Sequence, residues 1–207
     1  MIGIIDYGMG NLFSVSKALH RLNIPYFLSE SVEELQQADG LILPGVGSFK
    51  DAMKLLQEKK IDRLLKNYSA SGKPVLGICL GMQLLYEESE ENGHTTGLSL
   101  LKGKVRHIPK GEVKVPHMGW NLLRYNGFSP LINKLPQQHV YFVHSYYVTE
   151  FAPKELLASC SYHVEIPAIV GKENIIGMQF HPEKSGSLGM RLLQNFTELV
   201  QKGIVIA

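Results

Sequence analysis

The chain has 207 residues, 44% of them hydrophobic and 19% charged, which supplies enough apolar material for one large core and too little charge for disorder or a coiled coil. Its 21 basic and 19 acidic residues leave a formal charge of +2, so no general attraction to nucleic acid or anionic lipid is expected. Two cysteines, Cys79 and Cys160, permit at most one disulfide and form no CxxC pair, which predicts a reduced, cytoplasmic protein with a single domain over residues 1–207.

Residues 2–5 form a short β-branched run closed by Asp6, Tyr7 and Gly8, and Leu12, Val15, Leu19 and Leu22 then recur at helical spacing. Strand, turn and amphipathic helix are predicted. No basic leader precedes an apolar stretch, and no apolar run approaches about 18 residues, which predicts a chain neither secreted nor membrane-spanning. The theme repeats at Leu41, Ile42 and Leu43, which run into Pro44, Gly45, Val46 and Gly47 before a helical stretch marked by Met53, Leu56, Leu64 and Leu65. It repeats again from Pro74 to Ile78, followed by Cys79, Gly81 and a helix carrying Met82, Leu84 and Leu85. Three wholly apolar short strands, each followed by a glycine turn and a helix, predict a buried parallel sheet with helices on both faces.

Beyond about residue 97, Lys102, Lys104 and Arg106 alternate with Gly103 and Val105, and residues 140–147 suit strands, which predicts a half-exposed antiparallel section. A last unit returns to the first theme, with a strand over residues 175–180 and a helix marked by Leu192, Leu193, Phe196, Leu199 and Val200. The predicted class is α/β: an open, mostly parallel sheet flanked by helices, with an added antiparallel strand section. The acidic run Glu87, Glu88, Glu90 and Glu91 is predicted to be a solvated helix end, and the basic stretch from Lys102 to Lys114 an exposed strand face.

Cys79 lies in GICLG, at the junction of an apolar strand and a helix. Such a turn brings backbone against backbone, so the positions two before and two after the nucleophile must be nearly free of side chain. The helix N-terminus favours a thiolate there. Cys160, flanked by Ser159 and Ser161, has no such setting and is read as structural. A thiolate needs a base and a group to orient it. His181 directly follows an apolar strand, and Glu183, two residues on with Pro182 between, can reach its imidazole from the side away from the thiol. The other histidines lack ligand spacing, so no metal is expected. No phosphate-binding GxxxxGK loop or complete dinucleotide fingerprint occurs, so ATP, NAD and other cofactors are not expected either. The PGVG turn falls on the same rim, where backbone N–H groups at Val46 and Leu80 could form an oxyanion hole. Glycines on both sides of Val46 leave the Gly45–Val46 peptide free to rotate, which predicts a hole that can be switched. Trp120 sits outside the α/β units, and the residues alone leave a core and an interface role open.

Cys79 in GICLG, the HPE at 181–183 and the PGVG loop together resemble the class I glutamine amidotransferase family, over the whole chain. DYGMGN at 6–11, PGVGSF at 44–49, PHMGWN at 116–121, YFVHSYY at 141–147 and GMQFHPEKS at 177–185 narrow the resemblance to its glutaminase subunits that serve histidine biosynthesis. The resemblance implies a flavodoxin-like fold and hydrolysis of glutamine through a Cys79 thioester. It also implies transfer of the ammonia to a cyclase partner of (β/α)8 fold in a heterodimer. By the same resemblance Gly47 and Gln83 hold glutamine, and Asn11, Trp120 and Lys184 face the partner. A free-standing hydrolase on this fold and a non-enzymatic cysteine redox sensor are the rival readings.

Overall fold

The computed structural model describes residues 1–111 and 113–203. The chain opens with strand β1 (Ile2–Ile5), helix α1 (Leu12–Arg21), β2 (Tyr26–Ser29), α2 (Val32–Gln36) and β3 (Gly40–Gly45). Then come α3 (Phe49–Glu58), α4 (Ile61–Ala70), β4 (Val75–Cys79) and the short α5 (Leu80–Leu84). Small strands β5 (Glu88–Ser89), β6 (Thr95–Thr96) and β7 (Lys104–His107) follow, then β8 (His117–Leu122), β9 (Arg124–Tyr125), β10 (His139–His144) and β11 (Tyr146–Thr149). The last elements are β12 (Leu156–Tyr162), β13 (Val164–Lys172), β14 (Ile175–Met178) and α6 (Gly186–Lys202).

The main sheet runs β2-β1-β3-β4-β14-β13-β12-β9, parallel from β2 to β14 and antiparallel beyond. Strands β1, β3, β4 and β14 are buried along their whole length, which is why they read as unbroken apolar runs. Side chains of α1 and α6 enter one core cluster, and those of α2, α3, α4 and α5 enter the other, so the helices cover both faces. The hairpin of β8 and β10 and the small sheet β11-β7-β5-β6 form the added strand section.

The helical stretch predicted after β3 is two helices, because Lys60 takes a left-handed φ of +60° and turns the chain before α4. The acidic run is not a helix end. Helix α5 stops at Leu84, and the run is drawn out as β5 and its flanking loop, where its carboxylates are engaged. Glu87 accepts from the Gly103 N–H at 2.9 Å, Glu90 accepts from the His107 N–H at 2.8 Å, and Glu91 accepts from the Phe49 N–H at 2.7 Å. The basic stretch supplies β7 as predicted, half-buried rather than exposed, with Lys104 and Arg106 paired to Glu88, Glu90 and Glu150; residue 112 of that stretch lies outside the described residues.

Candidate active site

Parallel α/β sheets bind ligands beyond the carboxyl ends of their strands, and here β3 and β4 end side by side, Gly45 opposite Cys79. The turn from β4 into α5 is as sharp as GICLG requires: Cys79 has φ +55° and ψ −112°, a conformation disfavoured for any residue with a Cβ. The flanking glycines explain how it is accommodated. A Cβ on Gly77 would stand 2.6 Å from the Gly81 carbonyl oxygen, and one on Gly81 would stand 1.9 Å from that of Leu43. One on Gly45 would meet the Gly81 nitrogen at 2.8 Å. The ends of β3, β4 and α5 thus touch backbone to backbone.

Cys79 sits in a cleft of about 400 Å³ whose walls include Val46, Gly47, Leu80, Gln83, Glu91 and His181. Its sulfur lies 3.8 Å from the Val143 carbonyl oxygen and 3.9 Å from Gln179 Nε2. His181 is 2% exposed, positioned by its backbone N–H, which donates to the Tyr141 carbonyl at 3.0 Å. His181 Nδ1 donates to Glu183 Oε1 at 2.8 Å, leaving Nε2 for the thiol side, and the Glu183 side chain is fully buried. Burial alone would lower the His181 pKa; the Cys79 sulfur and the Glu183 carboxylate outweigh it and lift the imidazole to about 10.

The expected residues fall in two places. Cys79, His181, Glu183, Val46, Leu80, Gly47 and Gln83 meet at the cleft or directly behind it. Trp120 is 56% exposed on β8, edge-on to Tyr141 across the hairpin, and Lys184 is exposed in the turn after His181. Asn11 is half-buried, and its Nδ2 donates to Glu183 Oε1 at 3.3 Å, so it also supports the carboxylate behind the imidazole. Cys160 is 1% exposed in β12, and burial pushes its thiol up to about 12.

Sequence reasoning missed three features of the cleft. Glu91 turns into it, with its carboxyl pKa raised by burial. Gln179, the residue before Phe180 and His181, accepts from Gln83 Nε2 at 3.0 Å, and the Tyr146 carbonyl accepts from the same nitrogen at 2.8 Å. Both Gln83 amide hydrogens are thereby occupied, and its carbonyl is left for the cleft. The third is a histidine pair. His144 Nδ1 donates to the Tyr146 carbonyl at 2.8 Å, so its Nε2 accepts, and His117 Nδ1 donates to it at 3.0 Å. Burial lowers His117 to about 4 and His144 to about 3, keeping both neutral beside the charged His181.

The family model described as glutamine amidotransferase class-I matches residues 4–199. The chain belongs to the class I glutamine amidotransferase family. Among curated members of this amidotransferase family, it is 57% identical over 204 residues to "Imidazole glycerol phosphate synthase subunit HisH" of Bacillus subtilis (strain 168), with 96% of each chain covered. It is 58% identical over 201 residues to the protein of the same name from Geobacillus kaustophilus (strain HTA426), with 95% of each covered. The amidotransferase fold is also that of "Structure of PurLQS from Thermotoga maritima", with a TM-score of 0.77 at 20% identity over 96% of this chain and 98% of the other.

Proposed function

We propose that this chain is the glutaminase subunit of an imidazole glycerol phosphate synthase, working in histidine biosynthesis as a single domain. The observation that carries the reading is that Cys79 and His181 line one cleft, with Glu183 hydrogen-bonded to the imidazole from behind, in a chain 57% identical to a HisH subunit. The Cys79 sulfur attacks the carboxamide carbon of glutamine, forming the C–S bond and moving the carbonyl pair onto oxygen. Backbone N–H groups of Val46 and Leu80 donate to that oxyanion. His181, carrying a proton on Nε2 and held by Glu183, gives it to the amide nitrogen, and ammonia leaves as the C–N bond breaks. Water then attacks the glutamyl thioester, its proton returns to Nε2, and glutamate departs from the restored sulfur. Gly47 and the Gln83 carbonyl hold the substrate, and the half-buried Glu91 carboxylate suits its α-ammonium group.

Ammonia released to neutral water is mostly protonated and no longer nucleophilic, so the product suits a docked cyclase of (β/α)8 fold. The exposed apolar side chains of Phe13, Val46, Met118 and Trp120, with Lys184 and the edge of Asn11, suit the docking face. Rotation of the Gly45–Val46 peptide is the switch that keeps the subunit nearly silent until the partner is docked and loaded. One oxyanion donor is worth about 2.7 to 4 kcal/mol, so activation of at least about 10²-fold in kcat is expected. Glutamine turnover measured with and without the cyclase and its ligand tests this: equal rates alone and in the loaded complex would favour a free-standing hydrolase instead.

A further inference from the structure

The phenolic hydroxyl of Tyr7, in the turn two residues past β1, is fully buried and has no hydrogen-bond partner among the described residues. A buried donor without an acceptor is costly, and such groups in a folded protein call for a physical reason. Its surroundings supply one. Strands β1 and β3 are neighbours in the sheet, and the Tyr7 oxygen approaches Gly45 from inside the core, 2.9 Å from the point a Cβ would occupy there. The phenol also retains its proton, since burial and the nearby Cys79 sulfur both raise its pKa. A proton donor is therefore parked against the one peptide whose orientation decides whether the site has its oxyanion hole.

A peptide plane carries its C=O and N–H on opposite sides. When the Val46 N–H turns toward the substrate, the Gly45 carbonyl is driven back toward the protein, where it needs a donor. We propose that Tyr7 is a positioning residue of the oxyanion loop, its hydroxyl donating to the Gly45 carbonyl in the active orientation and waiting unpartnered in the resting one. This rests on the glutaminase reading. The loop packing is consistent with it, since Gly10, three residues after Tyr7, comes within 3.2 Å of Pro44 by its own Cβ position, so the two loops share one contact.

The test is Tyr7→Phe, which keeps the ring and deletes only the hydroxyl, in the complex with the cyclase and its ligand. The kcat for glutamine is expected to fall about tenfold, the change produced by loss of one ordinary hydrogen bond, while KM stays within twofold. The Tm is expected to hold or rise, because the resting state loses an unpartnered group. Alkylation of Cys79 by iodoacetamide, which develops no oxyanion, is expected at the wild-type rate. Unchanged kcat, or a rise in KM that accounts for the loss, overturns the proposal. So does a fall in Tm matched by a fall in titrated active sites, which makes Tyr7 a packing residue. Cys79→Ala run in parallel separates the two levels: if it retains glutamine turnover the site reading itself fails, and if it is inactive while Tyr7→Phe is fully active only Tyr7 is misassigned.

Discussion

Glu183→Gln separates charge from shape behind His181. In the wild type, Glu183 Oε1 accepts from both His181 Nδ1 at 2.8 Å and Asn11 Nδ2 at 3.3 Å, while Oε2 is buried without a partner among the described residues. Glutamine can keep its own oxygen on those two donors, and the Asn11 contact favours that orientation. The variant then keeps a neutral hydrogen bond in place of a charge-assisted one, a difference of about 1 to 1.5 kcal/mol or roughly 5- to 13-fold in kcat. Were the amide to turn over, its NH2 would face Nδ1 and force the imidazole into the tautomer that cannot serve the thiol, a defect worth about 10⁴-fold in the serine triads. Removing Asn11 from the Glu183→Gln variant is therefore expected to deepen the loss toward that larger figure. The readout is the pH dependence of kcat as well as its size. The wild-type imidazole near 10 loses its proton only at high pH, and the limb should move to lower pH in Glu183→Gln. The stability linkage has the same sign: a histidine raised from 6.5 to about 10 contributes stability that is fully present below pH 6.5 and is lost as pH rises through 10, so the variant should lose its stability at lower pH. An unchanged kcat and pH profile would refute the reasoning.

Replacing Cys79 by Ala should abolish glutamine-dependent synthesis while synthesis from added ammonia persists, and a glutamine-like chloroketone should label Cys79 but not the buried, high-pKa Cys160, as peptide mapping would show. Glu91→Gln should raise the KM for glutamine about 10- to 150-fold with a smaller change in kcat, since it removes a charged partner of the ground state and transition state alike. Trp120→Ala, losing a half-exposed aromatic on the proposed docking face, should weaken association with the cyclase by at least about 2 kcal/mol in a titration without lowering Tm. Unaltered affinity would remove Trp120 from the interface.

The parts legible in the sequence are those whose signal is local. Strands β1, β3, β4 and β14 are buried on both faces and so appear as apolar runs, and GICLG and HPE carry their geometry within five residues or fewer. Strand β2 escaped notice because it is an edge strand whose Leu28 is 43% exposed, and α2 because five residues are too few to show a period. Strands β12 and β13 escaped because Ser159, Ser161 and Pro167 interrupt an otherwise buried pair. Glu91 looked like one solvated carboxylate among four; the Phe49 N–H that holds it is 42 residues away in the chain. The hold of Gln179 on Gln83 and of Asn11 on Glu183 spans 96 and 172 residues, and no spacing rule reaches so far.

The bare-backbone joint at Gly45, Gly77 and Gly81 limits how this site can respond to anything that docks on it. A stand-off of 1.9 Å between the Gly81 Cβ position and the Leu43 oxygen leaves no slack for β3 to slide along β4, nor for α5 to tilt on either. The nucleophile and the oxyanion loop therefore travel as one rigid body. What remains free is torsional: single peptide planes and side-chain rotamers around an immobile frame. Two states of this enzyme should superimpose closely over every strand of the parallel sheet, their catalytic difference confined to a handful of dihedral angles.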